Sequence, residues 1–411
     1  MKYFNFNTIY TVIDIGTTKI CVIIAQKLSD EKIDILGVGI TPSEGLAQGV
    51  VVEVGATAAC IKKALNEAKI MAGIDPEGAY IGISGNHIKS YYSQGMAQIK
   101  GEFITEETIK EALSASSAIP LSEDEKLIHV IPISYTIDGI ANVQNPLGMH
   151  GMRLEISSHI ITANINSMKD LIYACSLANI KTQDIVLEPV ASGEAILNEE
   201  EKRLGALLVD IGGGTSDLAL YKKNSLLYTE IIPIAGNIFT NDLSICLKTP
   251  FKEAERIKHE IKIYEENTIN DYISILSLDG KEKQEISIDF AKEVIYSRAI
   301  ELSFIIKDII SKYEPIYSIP SGIILTGGGS LLNGLSKTMQ NLLNVQTRIG
   351  LPSINDSYKT ILEHPIFATS YGLLIYAIKN EKNELFLNEK DSSFFKILKK
   401  IKNFIGNFVK N

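Results

Sequence analysis

Two aspartates, each ending an apolar run and followed by a glycine turn, have the clearest chemistry in this chain. TVIDIGTTKICVIIA (11–25) runs apolar to Asp14, turns through Gly16, Thr17 and Thr18, and resumes as a second apolar run. LLVDIGGGTSDLAL (207–220) repeats the pattern around Asp210. Both read as two strands joined by a tight turn. Such a turn suits anion capture, because glycine leaves no Cβ between the backbone N–H groups and a phosphate. Thr17, Thr18 and Thr215 add hydroxyl donors. Strand-end carboxylates can hold Mg²⁺ through water, the habit of that hard cation in phosphate sites, which makes Asp14 and Asp210 the metal candidates. One such turn alone is ordinarily only a turn. A third loop, GIILTGGGSLLNGL (322–335), runs a strand into Gly327, Gly328 and Gly329 and then a helical pattern. It permits close approach of a flat nucleoside, with free N–H donors at the helix start; the plain alternative is a strand–helix connection.

The elements that must position these loops come in two matching sets. Asp14 and Asp210 stand 196 positions apart, which suggests a duplicated, two-lobed protein and not a short-period solenoid. Strands are expected near 10–15, 19–26 and 33–40, a helix over 55–73, a strand at 79–84, a helix near 167–179, a strand at 184–188 and a helix from Ala191. The second set has strands at 206–211, 216–222, 226–234 and 322–326, a helix near 331–343, a short strand near 346–349 and a helix around 367–379. Alternating strands and helices imply α/β layers.

Composition sets the bounds. With 411 residues, 45% apolar, 22% charged and 12 prolines, the chain is neither disordered nor fibrous and is long enough for two to four compact units. A formal charge of −9 disfavours a general nucleic-acid binder. Five of the forty basic residues lie in 392–411, which has no acid, leaving residues 1–391 at a formal −14. A basic tail on an acidic body points to an anionic partner for the tail. Cys21, Cys60, Cys175 and Cys246 sit apart beside apolar neighbours and read as buried reduced thiols. The six histidines form no HxxxH, so a transition-metal site has little support. No apolar run approaches the roughly 20 residues of a membrane span, and MKYFNFNTIY is a poor signal peptide. The body is expected in the cytoplasm.

VIDIGTTK, VDIGGGTSD and LTGGGS resemble the two phosphate loops and the adenosine loop of the actin-like ATPase superfamily. Within it, the position of the extra material selects the branch. The gap after the third strand is short, whereas residues 86–164 interrupt the first lobe after its fourth strand. That placement resembles the FtsA family of bacterial cell division, as do IPISYTIDG, GMRLEISSHIITA, LEPVASGEAIL, TNDLSICLKTPFKEAERIK and YGLLIYA. The resemblance covers about 9–380. PilM-like pilus-assembly ATPases share much of the layout, and DIGTT also resembles sugar-kinase text, although no sugar pocket or base aspartate stands out.

The implied fold is an α/β, actin-like, two-lobed duplicated fold with a family-specific insertion in the first lobe and a C-terminal amphipathic helix. First-lobe core parts fall at 1–85 and 165–192, around an inserted α+β subdomain at 86–164. The second lobe takes 193–235, a nucleotide-covering insertion 236–315, and 316–379. A flexible linker (380–393) leads to the amphipathic helix (394–411).

The resemblance also implies roles. Gly16, Thr17, Thr18 and Lys19 meet the phosphates of ATP from one lobe, and Gly212, Gly213, Gly214 and Thr215 from the other, with Mg²⁺ between Asp14 and Asp210. Glu255 and Lys258, three apart on one helical face, reach ribose and adenine. Glu188 matches the position that orients attacking water in some relatives; alternatively it only fixes the interlobe hinge before Pro189. The turn before Gly236 departs from the family, which usually has two glycines where this chain has Ala235-Gly236. The implied activity is at most a slow ATPase, with ATP serving chiefly to close the lobes and set filament geometry. Implied partners are the C-terminal peptide of FtsZ, docked on the second-lobe insertion, further copies of this chain in filaments, and later division proteins. Arg298 would pair with a peptide carboxylate, or is simply a helix-surface arginine.

The tail can be read from its own residues. At about 100° per residue, Phe394, Ile397, Leu398, Ile401, Phe404, Ile405 and Phe408 share one face of a helix, with Phe395 beside them. Lys396, Lys399, Lys400 and Lys410 lie opposite, and Lys402 near the boundary can snorkel. A core helix or a partner-binding helix would also show an apolar face. A helix lying in the interface of an anionic phospholipid membrane fits best, since its basic face adds attraction to apolar burial.

Overall fold

The computed structural model describes residues 8–29, 32–264, 271–313, 318–354 and 358–387. In the first lobe, β1 (Ile9–Ile15) returns antiparallel as β2 (Lys19–Lys27), which pairs Asp14 with Cys21. β3 (Ile33–Pro42) extends the sheet, a small hairpin of β4 (Leu46–Ala47) and β5 (Val50–Val51) follows, and α1 (Val54–Ala72) crosses to β6 (Gly78–Ile83). The inserted block is β7 (Lys89–Gln98), α2 (Glu106–Ser116), β8 (Glu125–Ile137), β9 (Ile140–Val143) and β10 (Arg153–Asn164). α3 (Ile165–Leu177) and β11 (Lys181–Leu187) complete the lobe, and α4 (Glu188–Ile196) and α5 (Glu199–Leu204) lead out of it.

The second lobe opens with β12 (Ala206–Ile211), β13 (Ser216–Lys222) and β14 (Ser225–Ile232). Its insertion holds α6 (Gly236–Leu247), α7 (Phe251–Glu260), a β15–β16 hairpin (Tyr272–Leu276, Lys283–Ser287) and α8 (Ile288–Ser311). β17 (Ile323–Thr326), a 3₁₀ turn at Gly328–Leu331, α9 (Leu335–Leu343), β18 (Thr347–Ile349), α10 (Lys359–Leu362) and α11 (Ala368–Leu387) close the described chain.

The duplication is explicit in the sheets. The first is ordered β3-β2-β1-β6-β11 and the second β14-β13-β12-β17-β18, with the three hairpin strands antiparallel and the last two joined parallel in both. The central strands are apolar on both faces because both faces are covered. Ile13, Ile20, Val22 and Ile24 pack toward α1 and α3, while Val12, Cys21 and Ile23 pack toward α11. α1 lies so close to β3 that a Cβ on Gly39 would fall 1.8 Å from the Ala64 carbonyl oxygen. Glycine there is a packing requirement.

Three expectations need correction. The helix expected from Ala191 begins at Glu188, since Pro189 is preorganised for the first turn of a helix. α11 carries on through Leu387 into the 380–393 segment expected to be a tether; its Glu, Lys and Leu residues are good helix formers, which a reading for polarity overlooks. The rest of that segment and the 394–411 helix lie outside the described residues. Finally, Cys21 and Cys175 are buried and Cys60 partly so, but α6 turns Cys246 outward. Among the described residues, no helix is long and apolar enough to cross a membrane.

Candidate functional site

The two hairpin turns have the same hydrogen bond: Gly16 N–H donates to the Lys19 carbonyl at 3.0 Å, and Gly212 N–H to that of Thr215 at 2.9 Å. They meet face to face. A Cβ on Gly213 would fall 2.2 Å from Thr18 Cγ2, and one on Gly214 2.5 Å from Thr17 Oγ1. Glycine at 213 and 214 therefore lets the lobes approach. Thr17 Oγ1 accepts from Gly49 N–H at 3.1 Å. The third loop joins them: Gly327 has φ +78°, and a Cβ on it would fall 2.3 Å from Asp210 Oδ1. Gly329 backs onto Ile211, whereas a Cβ on Gly328 would meet nothing nearer than Ile366 at 3.5 Å.

The start of α6 docks on the second turn, with Gly236 N–H donating to the Gly212 carbonyl at 3.0 Å and Asn237 N–H to that of Gly213 at 2.8 Å. Lys258 Nζ reaches this point from α7, donating to the Gly236 carbonyl (3.2 Å), Thr240 (2.9 Å) and Glu255 (2.7 Å). Burial alone would raise the Glu255 carboxyl, but the bonds from Lys258 and Thr240 outweigh it and hold the group below its usual range. The substituted Ala235 is extended (φ −155°, ψ −167°), and its methyl belongs to the buried core of the second lobe. Nothing in its backbone calls for glycine.

Carboxylates crowd the cleft between these loops. Asp14 accepts from Lys19 Nζ at 2.8 Å and from Ser370 Oγ at 2.6 Å. Asp210 accepts from Ser192 Oγ at 2.6 Å and Thr369 Oγ1 at 3.0 Å. Asp217 accepts from Ser84 Oγ at 2.8 Å through one oxygen, while its Oδ1 is buried with no hydrogen-bond partner among the described residues. Glu188 leads α4 into the same space and is half-buried. Burial first, then Asp14, Asp217 and Asp210, push the Glu188 carboxyl well above its usual range. Burial likewise raises Asp210, and burial with the Asp210 charge raises Asp217. Lys19 is the cation paired here, raised by Asp14 against the opposing effect of burial.

Asp14, Asp210, Asp217 and Glu188 crowd one another while Lys19, among the described residues, pairs with Asp14 alone, a balance that fits a divalent cation. Among the described residues, no three or more His, Cys, Asp or Glu side chains are arranged to hold a metal directly. A cation would therefore be held through water and the oxygens of a bound ligand. Of the residues singled out by sequence, Asp14, Lys19, Asp210, Glu188 and the three glycine loops meet in one cleft, with Glu255 and Lys258 at its second-lobe edge. Arg298 does not join them. On α8 it forms a bidentate pair with Asp242 of α6 (2.6 and 3.0 Å) and bonds Glu301. Ser84, Ser192, Asp217, Thr369 and Ser370 were missed; Asp217 stands inside the VDIGGGTSD motif, and the other four carry no local signal.

Comparison with known proteins gives a consistent picture. The family model "Cell division protein FtsA" matches residues 207–372, and "SHS2 domain inserted in FTSA" matches 85–162. The chain is 33% identical to the cell division protein FtsA of Pseudomonas aeruginosa, over 96% of this chain and 97% of that one. It is 34% identical to FtsA of Neisseria meningitidis serogroup B (91% of each chain) and 30% identical to FtsA of Escherichia coli K12 (90% of each). In fold it resembles a PilM–PilN type IV pilus biogenesis complex (TM-score 0.65, 19% identity, 90% of this chain and 98% of that one). It also resembles MreB5 of Spiroplasma citri bound to AMPPNP (TM-score 0.58, 14% identity, 91% and 97%).

Proposed function

The chain belongs to the FtsA family of cell-division proteins, and we propose that it is an ATP-binding, actin-like scaffold that self-associates and ties FtsZ polymers to the inner face of the cytoplasmic membrane. In this role it also helps to recruit later division proteins. The observation that carries the reading is the meeting of two duplicated phosphate turns, 16–19 and 212–215, across a cleft lined by Asp14, Asp210 and Lys19. Gly16 to Lys19 and Gly212 to Thr215 hold the phosphates, Gly327 to Gly329 back the nucleoside, and Lys258 and Glu255 reach its ribose and base. Asp14 and Asp210 would hold Mg²⁺ through water, and the cation would offset phosphate charge that these acids otherwise repel.

Glu188 orients water when it is ionised, yet its surroundings favour the protonated form. That supports a slow turnover in which ATP chiefly closes the lobes. For the FtsZ peptide, Arg298 serves only if its pair with Asp242 opens, so docking there is an exchange of carboxylate partners. The spacing of apolar and basic residues in the sequence of 394–411 supports a monotopic anchor. The test is a lipid monolayer carrying the full chain with ATP and FtsZ C-terminal peptide, viewed by electron microscopy. Membrane-dependent filaments are expected; a chain that stays soluble and monomeric with ATP overturns the proposal.

A further inference from the structure

Two buried histidines lie outside the cleft. His129 on β8 and His159 on β10 are 9% and 0% exposed, on neighbouring strands that pair His129 with Ile161 and His159 with Ile131. His129 Nε2 accepts a hydrogen bond from Leu187 N–H at 3.0 Å. Leu187 caps α4, and the next residue is Glu188. β11 is an edge strand, so the imidazole supplies the acceptor that a further strand would have offered. An imidazole accepting at Nε2 is neutral and has its proton on Nδ1. On the other side, the His159 ring stacks on Tyr92 at 5.5 Å, and Tyr92 OH donates to the Leu227 carbonyl on β14 at 2.8 Å. Ser90 adds a bond to the Thr229 carbonyl at 3.2 Å. The inserted sheet is thus fastened to the residue before Glu188 and to the outer strand of the second lobe.

We propose that His129 is a positioning residue for Glu188, through which the inserted subdomain sets the geometry of the nucleotide cleft. Its consequence for hydrolysis rests on the ATP-binding reading above. The groups facing His129 are His159 from β10 and Tyr376 from α11, whose ring lies edge-on at 5.9 Å, with Glu188 of α4 beyond the Leu187 amide. Burial first, then Asp184 of β11, Tyr80 of β6 and Glu194 of α4, keep the Tyr376 phenol protonated. With burial and His159 both opposing its charge, His129 is held neutral, and an acceptor, down to about 4. The clamp therefore holds throughout neutral pH.

His129→Gln keeps an acceptor in reach of the amide, whereas His129→Leu fills the space without one. Three readouts separate positioning from mere packing: affinity for a fluorescent ATP analogue, phosphate release, and hydrogen exchange of the Leu187 amide. The leucine variant should release phosphate about tenfold more slowly with affinity within about twofold of wild type, and its Leu187 amide should exchange faster. The glutamine variant should restore both. If the leucine variant fails to fold, His129→Asn, too short to reach the amide, replaces it. Unchanged exchange at Leu187, or equal defects in the leucine and glutamine variants, overturns the proposal. If wild type binds no ATP or releases no phosphate, the nucleotide or hydrolysis reading falls instead, and exchange at Leu187 alone decides the clamp.

Discussion

Gly327 carries two constraints at once, a left-handed backbone and the Asp210 carboxylate where a side chain would begin. Gly327→Ala should therefore destabilise the fold by about 1–3 kcal/mol and weaken ATP binding, checked by thermal unfolding and analogue titration; unchanged affinity would show that this loop does not shape the site. The three glycine loops were legible because one residue type at fixed spacing encodes each turn. Ser84, Ser192, Thr369 and Ser370 were not, since Ser370 meets Asp14 across 356 positions and no local pattern records that. The buried histidines make a pH prediction at this scale. In the unfolded chain they titrate near 6.5, and burial lowers each to about 4 in the fold. Between those values the unfolded state binds more protons, so their contribution is full above 6.5 and is lost as pH falls toward 4. Each contributes about 3 kcal/mol of acid sensitivity. His129→Gln should flatten the fall in denaturation midpoint between pH 7 and 5; a slope equal to wild type would place the sensitivity elsewhere.

Elements whose burial alternates or runs continuously were the readable ones, as β1, β2 and β12 show. α4 was placed three residues late and α11 was cut short, because a proline-led start and a polar continuation look like loop in composition. α8 carries Arg298 against Asp242 of α6, which changes what a substitution tests. Arg298→Glu sets two acids face to face, so lost FtsZ-peptide binding by that variant would not by itself mark a docking residue. Arg298→Glu combined with Asp242→Arg restores the internal pair. If Arg298 docks the peptide, the double variant should fold as wild type and still bind it more weakly; wild-type affinity assigns the arginine to the α6–α8 contact alone. If the 394–411 segment is the membrane anchor proposed above, each lysine near an anionic surface would contribute about 1 kcal/mol, so the five would assist apolar insertion without replacing it. Residues 1–391 alone, and Phe404→Glu with Ile405→Glu, should lose flotation with anionic vesicles while keeping ATP affinity. Flotation equal to the full chain would place the anchor outside the tail.

At the scale of the whole molecule, the duplication makes the cleft a meeting of two similar acidic strand ends, for which the chain supplies Lys19 and four hydroxyl or ammonium bonds. Each lobe brings one strand-end aspartate, and α11 touches both through Ser370 and Thr369, so one helix ties the two acidic strand ends together. Glu188 and Asp217 add to the crowding, and burial raises both. A nucleotide without a cation would bring more negative charge into this space, whereas Mg²⁺ with the nucleotide offsets it. A ligand that binds only the folded, closed chain stabilises it by about 2.7 kcal/mol at a hundred times its dissociation constant. Mg-ATP should therefore raise the unfolding midpoint by several degrees, while ATP with excess EDTA should raise it little. Asp14→Asn with Asp210→Asn, which removes two of the charges, should narrow the gap between the two conditions by making ATP alone more acceptable. Equal midpoints for wild type with and without EDTA, at saturating ATP, would mean that the carboxylates hold no cation and that lysine and backbone N–H groups carry the phosphates unaided.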